Sequence, residues 1–347
     1  MNYLSENASR LTPYLAGLQP EEPGWIKLNT NENPYPPSPQ VVEALRGVDL
    51  AALRLYPDNN SKDLIRAIAK TLDVREENIF PGNGSDDVLA LAFAAFLRGK
   101  SDVRMPDITY AFYPVWSALF EVGVTTVPLR DDYTIAPTDY QGAQGVVLAN
   151  PNAPTGLALG LADIEQILRQ NPAGVVVVDE AYIDFASVES AVKLIDKYEN
   201  LLVVRTFSKS HALAGLRVGY AVGHEGLIAG LQRVKNAYNS YPLDRMAQIG
   251  AAVSIADTAY WAGTRARVIQ TREKTAGALG ALGCRVLDSQ TNFLLFHTER
   301  ANELYEHLFK HKIMVRYWDK PRLSEWLRAT IGTEAEMEAF IACVKQF

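Results

Sequence analysis

One lysine in the middle of the chain lies among small and apolar residues, directly after a strand-like run. Lys209 follows the apolar run 201–205 and is preceded by Ser208. A partly desolvated ammonium gives up its proton more readily, and the free amine is the form that attacks a carbonyl carbon to make a Schiff base. Ser208 and Arg217 flank the lysine, and a hydroxyl beside a guanidinium is a good grip for a phosphate. The segment favours Schiff-base chemistry on a phosphorylated ligand, and a solvent-facing loop lysine remains the alternative.

The composition is that of a folded, acidic protein with few cysteines. The chain has 347 residues, is 48% hydrophobic and carries a formal net charge of −6. This length allows two domains, and the negative charge argues against a general affinity for nucleic acid. Two cysteines make no disulfide framework, residues 1–10 lack the apolar core of a signal peptide, and the longest apolar run (89–97) is too short for a bilayer. We therefore expect a soluble cytoplasmic protein without a membrane or nucleic-acid partner.

Patterns typical of strands and helices alternate from about residue 40 to residue 240. Apolar runs typical of strands occur at 103–105, 124–128, 145–149, 174–178 and 201–205, and helical patterns at 40–47, 61–72, 85–98, 111–121 and 161–170. The run Val175–Val178 is apolar throughout, which is typical of a strand covered on both faces. This alternation predicts an α/β fold with a mainly parallel sheet flanked by helices, whose ligands lie beyond the carboxyl ends of the strands.

The pattern changes after residue 245 and predicts a smaller α+β domain at the carboxyl end. It comprises a long helical stretch at about 246–281, a strand at 293–296, a helix at 301–311, short strands near 313–316 and 326–331, and a final helix from Thr333. Residues 20–39 are rich in proline and predict an extended arm that packs on either domain. We divide the chain into an arm (1–30), a large domain (31–245) and a small domain (246–347).

Several further polar or aromatic groups follow predicted strands. Gly84 and Ser85 begin a predicted helix, where glycine admits close approach of the backbone and free amides bind phosphate. The proline-rich loop 150–156 is stiff enough to aim an amide at a ligand oxygen. Asp179 can pair with a pyridinium nitrogen and keep that ring an electron sink, and Tyr110 can stack on a flat ring. Each feature taken singly is also explained as a helix cap, a turn or a packed side chain.

Other chemistries fit the sequence less well. An acid after a buried strand also suits the magnesium site of a phosphate-loop NTPase, but the fragment 99–101 ends a helix, and its loop lacks the first glycine because position 94 is Ala. His307 and His311 are four residues apart, but Leu308 stands where a zinc protease has glutamate. We expect these histidines to form a solvated helix face and expect no metal.

Together these motifs resemble the fold-type I pyridoxal-phosphate aminotransferases, and most specifically the histidinol-phosphate aminotransferase family. The resemblance runs nearly from end to end of the chain. The segments that carry it are 11–14, 28–34, 54–57, 82–87, 150–156, 179–182, 208–209 and 327–332. Their order and spacing are more specific than any one of them.

The resemblance implies pyridoxal 5'-phosphate as the cofactor and a role for each matching residue. Lys209 is expected to form the Schiff base and move the proton, Asp179 to pair with the ring nitrogen, and Tyr182 to hydrogen-bond the phenolate oxygen. The other residues expected to hold the cofactor are Gly84, Ser85, Asp86, Tyr110, Asn152, Ser208 and Arg217, with Tyr56 reaching the phosphate in the neighbouring subunit of a homodimer. The expected substrate-site residues are Tyr14, Asn31, Arg316 and Arg328, of which Arg328 receives the α-carboxylate of glutamate.

The implied reaction moves the amino group of L-histidinol phosphate to 2-oxoglutarate and yields imidazole-acetol phosphate and glutamate, a step of histidine biosynthesis. Aromatic amino acid aminotransferases and a threonine-phosphate decarboxylase share the fold and remain alternatives, and a pyridoxal-binding protein without turnover is an alternative of another class. One residue departs from the family pattern, since Ala153 stands where asparagine often precedes Pro-Thr-Gly. We expect Asn152 to take over that contact after a small loop adjustment, and His211 to be a packed histidine without a catalytic role.

Overall fold

A computed structural model describes residues 3–13 and 17–347, so the expected substrate residue Tyr14 lies outside the described residues. The helices are α1 (Glu6–Arg10), α2 (Pro39–Arg46), α3 (Lys62–Leu72), α4 (Ser85–Ala92), α5 (Tyr113–Leu119), α6 (Leu161–Gln170), α7 (Glu225–Tyr238), α8 (Arg245–Ala256), α9 (Thr258–Ala281), α10 (Ala301–Lys310) and α11 (Glu334–Lys345). The strands are β1 (Ile26–Lys27), β2 (Ile79–Gly82), β3 (Val103–Pro106), β4 (Val124–Val127), β5 (Gly145–Ala149), β6 (Val175–Asp179), β7 (Leu201–Thr206), β8 (Gly219–Gly223), β9 (Arg285–Val286), β10 (Phe293–His297), β11 (Ile313–Met314), β12 (Arg316–Tyr317) and β13 (Trp326–Thr330). Within the described ranges, no helix combines the length and the hydropathy needed to cross a membrane.

A seven-stranded sheet with the order β2-β8-β7-β6-β5-β3-β4 forms the larger unit. Strands β4, β3, β5, β6 and β7 pair in parallel, whereas β8 runs antiparallel to both of its neighbours. Every residue of β5 and β7 is buried, because one face of the sheet packs against α3, α6 and α8 and the other against α4, α5 and α7. The predicted α/β class with a mainly parallel sheet flanked by helices is confirmed.

The strand directions bring the candidate site residues to one edge of this sheet. Strand β6 ends at Asp179, β7 ends three residues before Lys209, and β2 ends three residues before Ser85. Asp179 lies opposite Val204 in the pairing of β6 with β7. Because parallel strands have their carboxyl ends on the same side, the loops that follow them converge there.

A smaller unit contains a four-stranded antiparallel sheet with the order β12-β13-β10-β9. Its core joins Phe293 and Phe296 of β10 to Leu327 of β13 and Phe340 of α11. This confirms the expected smaller α+β unit towards the carboxyl end.

The segment 26–33, which we call the arm segment, packs on the smaller unit and then continues to the larger one. Strand β1 pairs in parallel with β11, where Ile26 lies opposite Ile313. The backbone nitrogen of Thr330 donates to the carbonyl oxygen of Leu28 at 2.9 Å. The sequence had left the packing of this arm open.

The long helix predicted at 246–281 is two helices that meet at Asp257, which ends α8 and caps the start of α9. Helix α8 contributes Ala251 to the core of the larger sheet, whereas α9 contributes Val268 to the core of the smaller unit. The domain limits at residues 30 and 245 stay predictions, and this packing places α8 with the larger sheet.

The start of α4 lies so close to β8 that only glycine fits beneath it. A Cβ atom on Gly219 would lie 2.3 Å from the backbone nitrogen of Ser85 and 2.5 Å from the carbonyl carbon of Gly84. Gly84 has φ +87°, which residues with a side chain rarely adopt. These two glycines therefore fix where the free amides of α4 lie at the sheet edge.

We predict that Gly219→Ala lowers the free energy of unfolding by about 2–3 kcal/mol, because the added methyl group forces the start of α4 away from β8. Urea denaturation followed by circular dichroism measures this change. Gly215→Ala is the matched control, since nothing lies within 4 Å of the corresponding Cβ position and its φ is not in the left-handed region. Equal stabilities of the two variants would contradict the close contact.

Candidate active site

A cavity of about 230 Å³ opens at the carboxyl edge of the larger sheet. Most of the residues that the sequence selected lie in its wall. The predicted residues that line it are Ser85, Asp86, Tyr110, Asp179, Tyr182, Ser208, Lys209 and Arg217. Thr30 and Glu32 of the arm segment also line it, and the sequence had not assigned these two a role.

The amine of Lys209 points into this cavity and is only half-buried. Its Nζ donates to the carbonyl oxygen of Thr30 at 3.4 Å and lies 5.7 Å from the centre of the Tyr182 ring. The side-chain amide of Asn33 donates to the carbonyl oxygens of Lys209 and Ser210 at 3.0 and 3.1 Å. The lysine loop is therefore fixed by a side chain of the arm segment.

A buried charged network supports the lysine loop from below. The hydroxyl of Ser210 donates to Asp184, and Asp184 also pairs with Arg205 at the end of β7. Burial raises the pKa of Asp184, but the attraction of Arg205, further nearby positive charge and the hydrogen bond from Ser210 together outweigh it, and the pKa is lowered. Glu180 lies 4.0 Å from Arg205, and burial raises its pKa to about 7. Sequence reasoning missed this network, because Asp184 follows β6 whereas Arg205 and Ser210 belong to β7 and the loop after it, and only folding brings them together.

Asp179 is a buried carboxylate held by two hydrogen bonds. Its Oδ2 accepts from the hydroxyl of Tyr113 at 2.9 Å, and its Oδ1 accepts from the backbone nitrogen of Ala181 at 3.1 Å. Burial raises its pKa to about 6, although both hydrogen bonds oppose the shift. Tyr113 was not selected from the sequence, because a tyrosine in an apolar helical pattern indicates a core residue.

The other end of the cavity is built to receive an anion. The guanidinium of Arg217 lies 3.4 Å from Asp86 Oδ2 and 3.5 Å from the hydroxyl of Ser208. A Cβ atom on Gly84 would lie 2.6 Å from Arg217 Nη2, so the absence of a side chain there leaves room for the guanidinium. The first turn of α4 adds backbone N–H groups that have no partner within the helix.

Tyr110 lies between the two ends of the cavity. Its hydroxyl donates to Asp86 Oδ1 at 2.9 Å, and its ring makes an edge contact with Tyr113 at 5.5 Å. Burial and the nearby Asp86 carboxylate raise its pKa far above the ordinary value. The ring is thus held neutral and in a fixed position in the cavity wall.

Tyr182 lines the cavity and is hydrogen-bonded to Asn31. The amide of Asn31 donates to the hydroxyl of Tyr182 at 2.9 Å. Asn31 has φ 57° and is anchored to Thr330 of β13, whose Oγ1 accepts from its backbone nitrogen at 2.9 Å. The arm segment therefore places the buried Asn31 beside Tyr182, while its neighbours Thr30 and Glu32 line the cavity.

Asn152 does not reach the cavity, contrary to expectation. Its amide nitrogen donates to the carbonyl oxygen of Ile108 at 3.0 Å and to Thr155 at 3.1 Å, and its oxygen accepts from Thr109 at 2.8 Å. Ala153 lines the cavity instead. The expected loop adjustment is not seen, because these three hydrogen bonds hold the amide inside the protein.

The two predicted substrate arginines lie next to each other. Arg316 of β12 is the register partner of Arg328 of β13. The guanidinium of Arg328 donates to the carbonyl oxygen of Asn29 at 2.8 Å and lies 5.3 Å from the centre of the Trp318 ring, while Arg316 contacts the same ring at 5.6 Å. Like charges opposite each other destabilise a sheet, so this pair suits an anionic ligand.

Tyr56 and His211 lie away from the cavity lining. Tyr56 is 80% exposed and its ring stacks on Tyr241 at 4.7 Å. His211 is buried, its Nδ1 lies 3.0 Å from the hydroxyl of Ser254, and burial lowers its pKa to about 4. His211 is thus placed as a packed histidine, as the sequence suggested.

We predict that Asp179→Asn stabilises the ligand-free protein at pH 8 by up to about 3 kcal/mol. The raised pKa means that the carboxyl group contributes most to stability below pH 4, and that this contribution is lost as the pH rises through about 6. Urea denaturation at pH 4 to 8 measures the difference from the native protein, which should grow with pH. The exposed Asp319→Asn is the control, and a difference independent of pH would contradict a buried charge at Asp179.

Comparison with known proteins places this site in a family. Residues 23–344 match the family model of aminotransferase class I and II. The chain is 47% identical to the histidinol-phosphate aminotransferase of Brachyspira hyodysenteriae, with 99% of this chain and 98% of that protein covered. It is 52% identical to the histidinol-phosphate aminotransferase of Gluconacetobacter diazotrophicus, with 94% and 92% covered.

A solved structure shows that the whole fold is shared. The histidinol-phosphate aminotransferase of Sinorhizobium meliloti, in complex with pyridoxal-5'-phosphate, superimposes with a TM-score of 0.89 over 100% of this chain and 97% of that one, at 23% identity. At this identity the likeness concerns the fold alone. The match of the family model over most of the length, with the relatives at about half identity, shows that the chain belongs to the class I and II aminotransferases.

Proposed function

We propose that this protein is a pyridoxal-phosphate-dependent aminotransferase that moves the amino group of L-histidinol phosphate to 2-oxoglutarate. The products are imidazole-acetol phosphate and glutamate, as in histidine biosynthesis. The proposal rests on the relatives named for this activity. About half of the aligned residues are identical, and the alignments cover nearly the full length of the chain. The cavity supports it, because an amine, a buried carboxylate and an anion-binding end lie in one wall.

The residues of the cavity fit pyridoxal phosphate. The room that Gly84 leaves for Arg217, together with Ser208 and the start of α4, offers cationic and N–H donors to a phosphate. The Asp179 carboxylate suits a protonated ring nitrogen, the Tyr182 hydroxyl suits the phenolate oxygen, and the Lys209 amine suits the aldehyde carbon. When bound, this cofactor supplies an electron sink for the charge left on a substrate carbon that loses its proton.

The chain's own residues prepare each step. Lys209 Nζ removes the proton from the α-carbon of the substrate. The carbonyl oxygen of Thr30 accepts from this amine, and Asn33 holds the backbone of the lysine loop. Tyr113 keeps Asp179 aligned in its buried position. Tyr110, which the Asp86 carboxylate holds, offers its ring face as a stacking surface.

The two neighbouring arginines are proposed to bind the anionic groups of the substrates. Arg328 is proposed to receive the α-carboxylate of glutamate, and Arg316 beside it to assist in binding anionic substrates. The guanidinium groups of both arginines contact the ring of Trp318, and this contact restricts their rotation. The phosphate of L-histidinol phosphate and the carboxylates of glutamate are both anionic, so one pair of arginines suits both substrates.

The homodimer is also part of this proposal. A short helical segment, 50–54, and the two residues after it present large apolar side chains to solvent in the single chain. The exposed fractions are 67% for Leu50, 55% for Leu53, 52% for Leu55 and 80% for Tyr56. Such a patch favours contact with a second copy, and Tyr56 would then reach the partner's phosphate site. The cytoplasmic location predicted from the composition belongs to the proposal as well.

We predict that kcat/KM for histidinol phosphate, with 2-oxoglutarate as acceptor, exceeds that for phenylalanine and for threonine phosphate by at least about 100-fold, because the relatives that share about half of this sequence are named for that donor. A steady-state comparison of the three donors measures this.

Lys209→Ala should lower kcat by at least about 10³-fold while the protein stays folded, and the exposed Lys320→Ala should not change it.

Four results would contradict parts of this proposal. A preference for phenylalanine or for threonine phosphate would reject the substrate, and release of carbon dioxide would indicate the decarboxylase. Borohydride reduction followed by peptide mapping should place a pyridoxyl group on Lys209, and an unmodified Lys209 in active protein would reject the site itself. The absence of any turnover would favour the alternative of a binding protein.

We predict that Leu53→Asp combined with Leu55→Asp converts a dimer of twice 38.3 kDa into a monomer, because a buried charge at an apolar interface is costly. Light scattering coupled to size-exclusion chromatography measures the mass. Leu282→Asp, at a residue 37% exposed outside the patch, is the control. A native protein of 38.3 kDa in solution would contradict the proposed dimer.

A further inference from the structure

Three side chains of the types that bind transition metals in proteins lie together in the smaller unit, outside the cavity. His307 lies in the last turn of α10, His311 follows that helix directly, and Cys343 lies in α11, which packs against α10. One ligand atom from each of the three lies within 4.8 Å of the other two. The spacing of the histidines had suggested only a solvated helix face, because Cys343 is distant in sequence and becomes their neighbour through folding.

The two histidines already have the outer contacts that metal-binding histidines use. His311 Nδ1 lies 2.8 Å from the carbonyl oxygen of His307, and His307 Nε2 lies 3.3 Å from the carbonyl oxygen of Cys343. A carbonyl oxygen only accepts, so each of these ring nitrogens carries the proton. The other nitrogen of each ring, Nδ1 of His307 and Nε2 of His311, therefore has a lone pair to offer. This arrangement is the one by which carbonyl groups orient metal ligands in proteins.

The surroundings are suited to an ion that enters from solvent. His311 is exposed, His307 is half-buried and Cys343 is buried, so the thiol forms the floor of a shallow site. The ring of Phe347 lies 5.5 Å from that of His307 and shields one side. Tetrahedral zinc with ordinary Zn–N and Zn–S bonds needs ligand atoms about 3.3–3.6 Å apart. The three ligand atoms here lie within 4.8 Å of one another, and rotation of the side chains can bring them to the shorter distance.

We propose that His307, His311 and Cys343 form a zinc site that joins α10 to α11, with water as the fourth ligand. Two imidazoles and one thiolate are the ligands that zinc prefers, and hard ions such as magnesium prefer oxygen. As the Zn–S bond forms, the thiol proton leaves to solvent, and no electron is transferred. Since the site lies outside the catalytic cavity, its bound ion stabilises the packing of the final helix rather than the reaction.

Cobalt titration of the purified full-length protein, after chelator treatment and dialysis, tests the proposal. We expect one Co²⁺ per chain, with a thiolate-to-cobalt charge-transfer band in the near ultraviolet, and displacement of cobalt by Zn²⁺ with a dissociation constant below about 1 µM. Zn²⁺ should also raise the melting temperature, because it binds the folded state alone. These readouts do not depend on catalytic activity.

His311→Asn is the decisive variant, since this exposed side chain can change without loss of the fold. It should weaken binding by at least about 100-fold, which is more than the loss of an outer contact costs, and Cys343→Ser should abolish the charge-transfer band. Cys284→Ser, which removes the other free cysteine, should leave both unchanged. The proposal is overturned if no charge-transfer band forms, if His311→Asn binds as tightly as the native protein, or if Cys284→Ser removes the band.

Discussion

The candidate site depends on one constraint. A buried carboxylate and an amine must be held in one cavity by neighbouring strands whose ends cannot move independently. Strands β6 and β7 are hydrogen-bonded along their length, so the positions of Asp179 and of the loop carrying Lys209 are fixed relative to each other. A buried carboxylate is costly, and Tyr113 and Ala181 offset part of that cost. The raised pKa of Asp179 shows that the rest of the cost remains in the ligand-free fold. A cation bound beside it would relieve this cost.

The support of the lysine loop follows the same principle. Asp184, Arg205 and Glu180 place buried charges under the loop, and each has a partner of opposite charge or a hydrogen-bond donor. Removal of Arg205 would leave Asp184 and Glu180 buried without a positive partner, which costs more than the complete network. We infer that the network acts on the position of Lys209 rather than on the reacting atoms.

Much of the fold could be predicted from the sequence, because the spacing of apolar residues that marks a helix or a buried strand is a local property of the chain. The run Val175–Val178 predicted β6, and the polar residues after the strands predicted the cavity edge. Strands β2 and β8 and helix α7 were missed, since Gly219 and Gly223 make β8 resemble a loop and its antiparallel direction has no local signal. The predicted strand at 313–316 is split, because β11 pairs with the arm segment and β12 with β13. Tyr113 and the displaced amide of Asn152 depend on contacts between distant segments, which one sequence does not reveal.

The arm segment gives the molecule a mechanical property that neither unit has alone. Its backbone is bonded to the smaller unit through Leu28 and Asn31, and only two residues later Asn33 holds the lysine loop of the larger unit. So short a tether has little slack, so a displacement of the smaller unit relative to the larger one would also move the loop that carries the amine. Arg328 donates to the carbonyl oxygen of Asn29 in the same segment, so one continuous piece of backbone contacts both this arginine and the lysine loop.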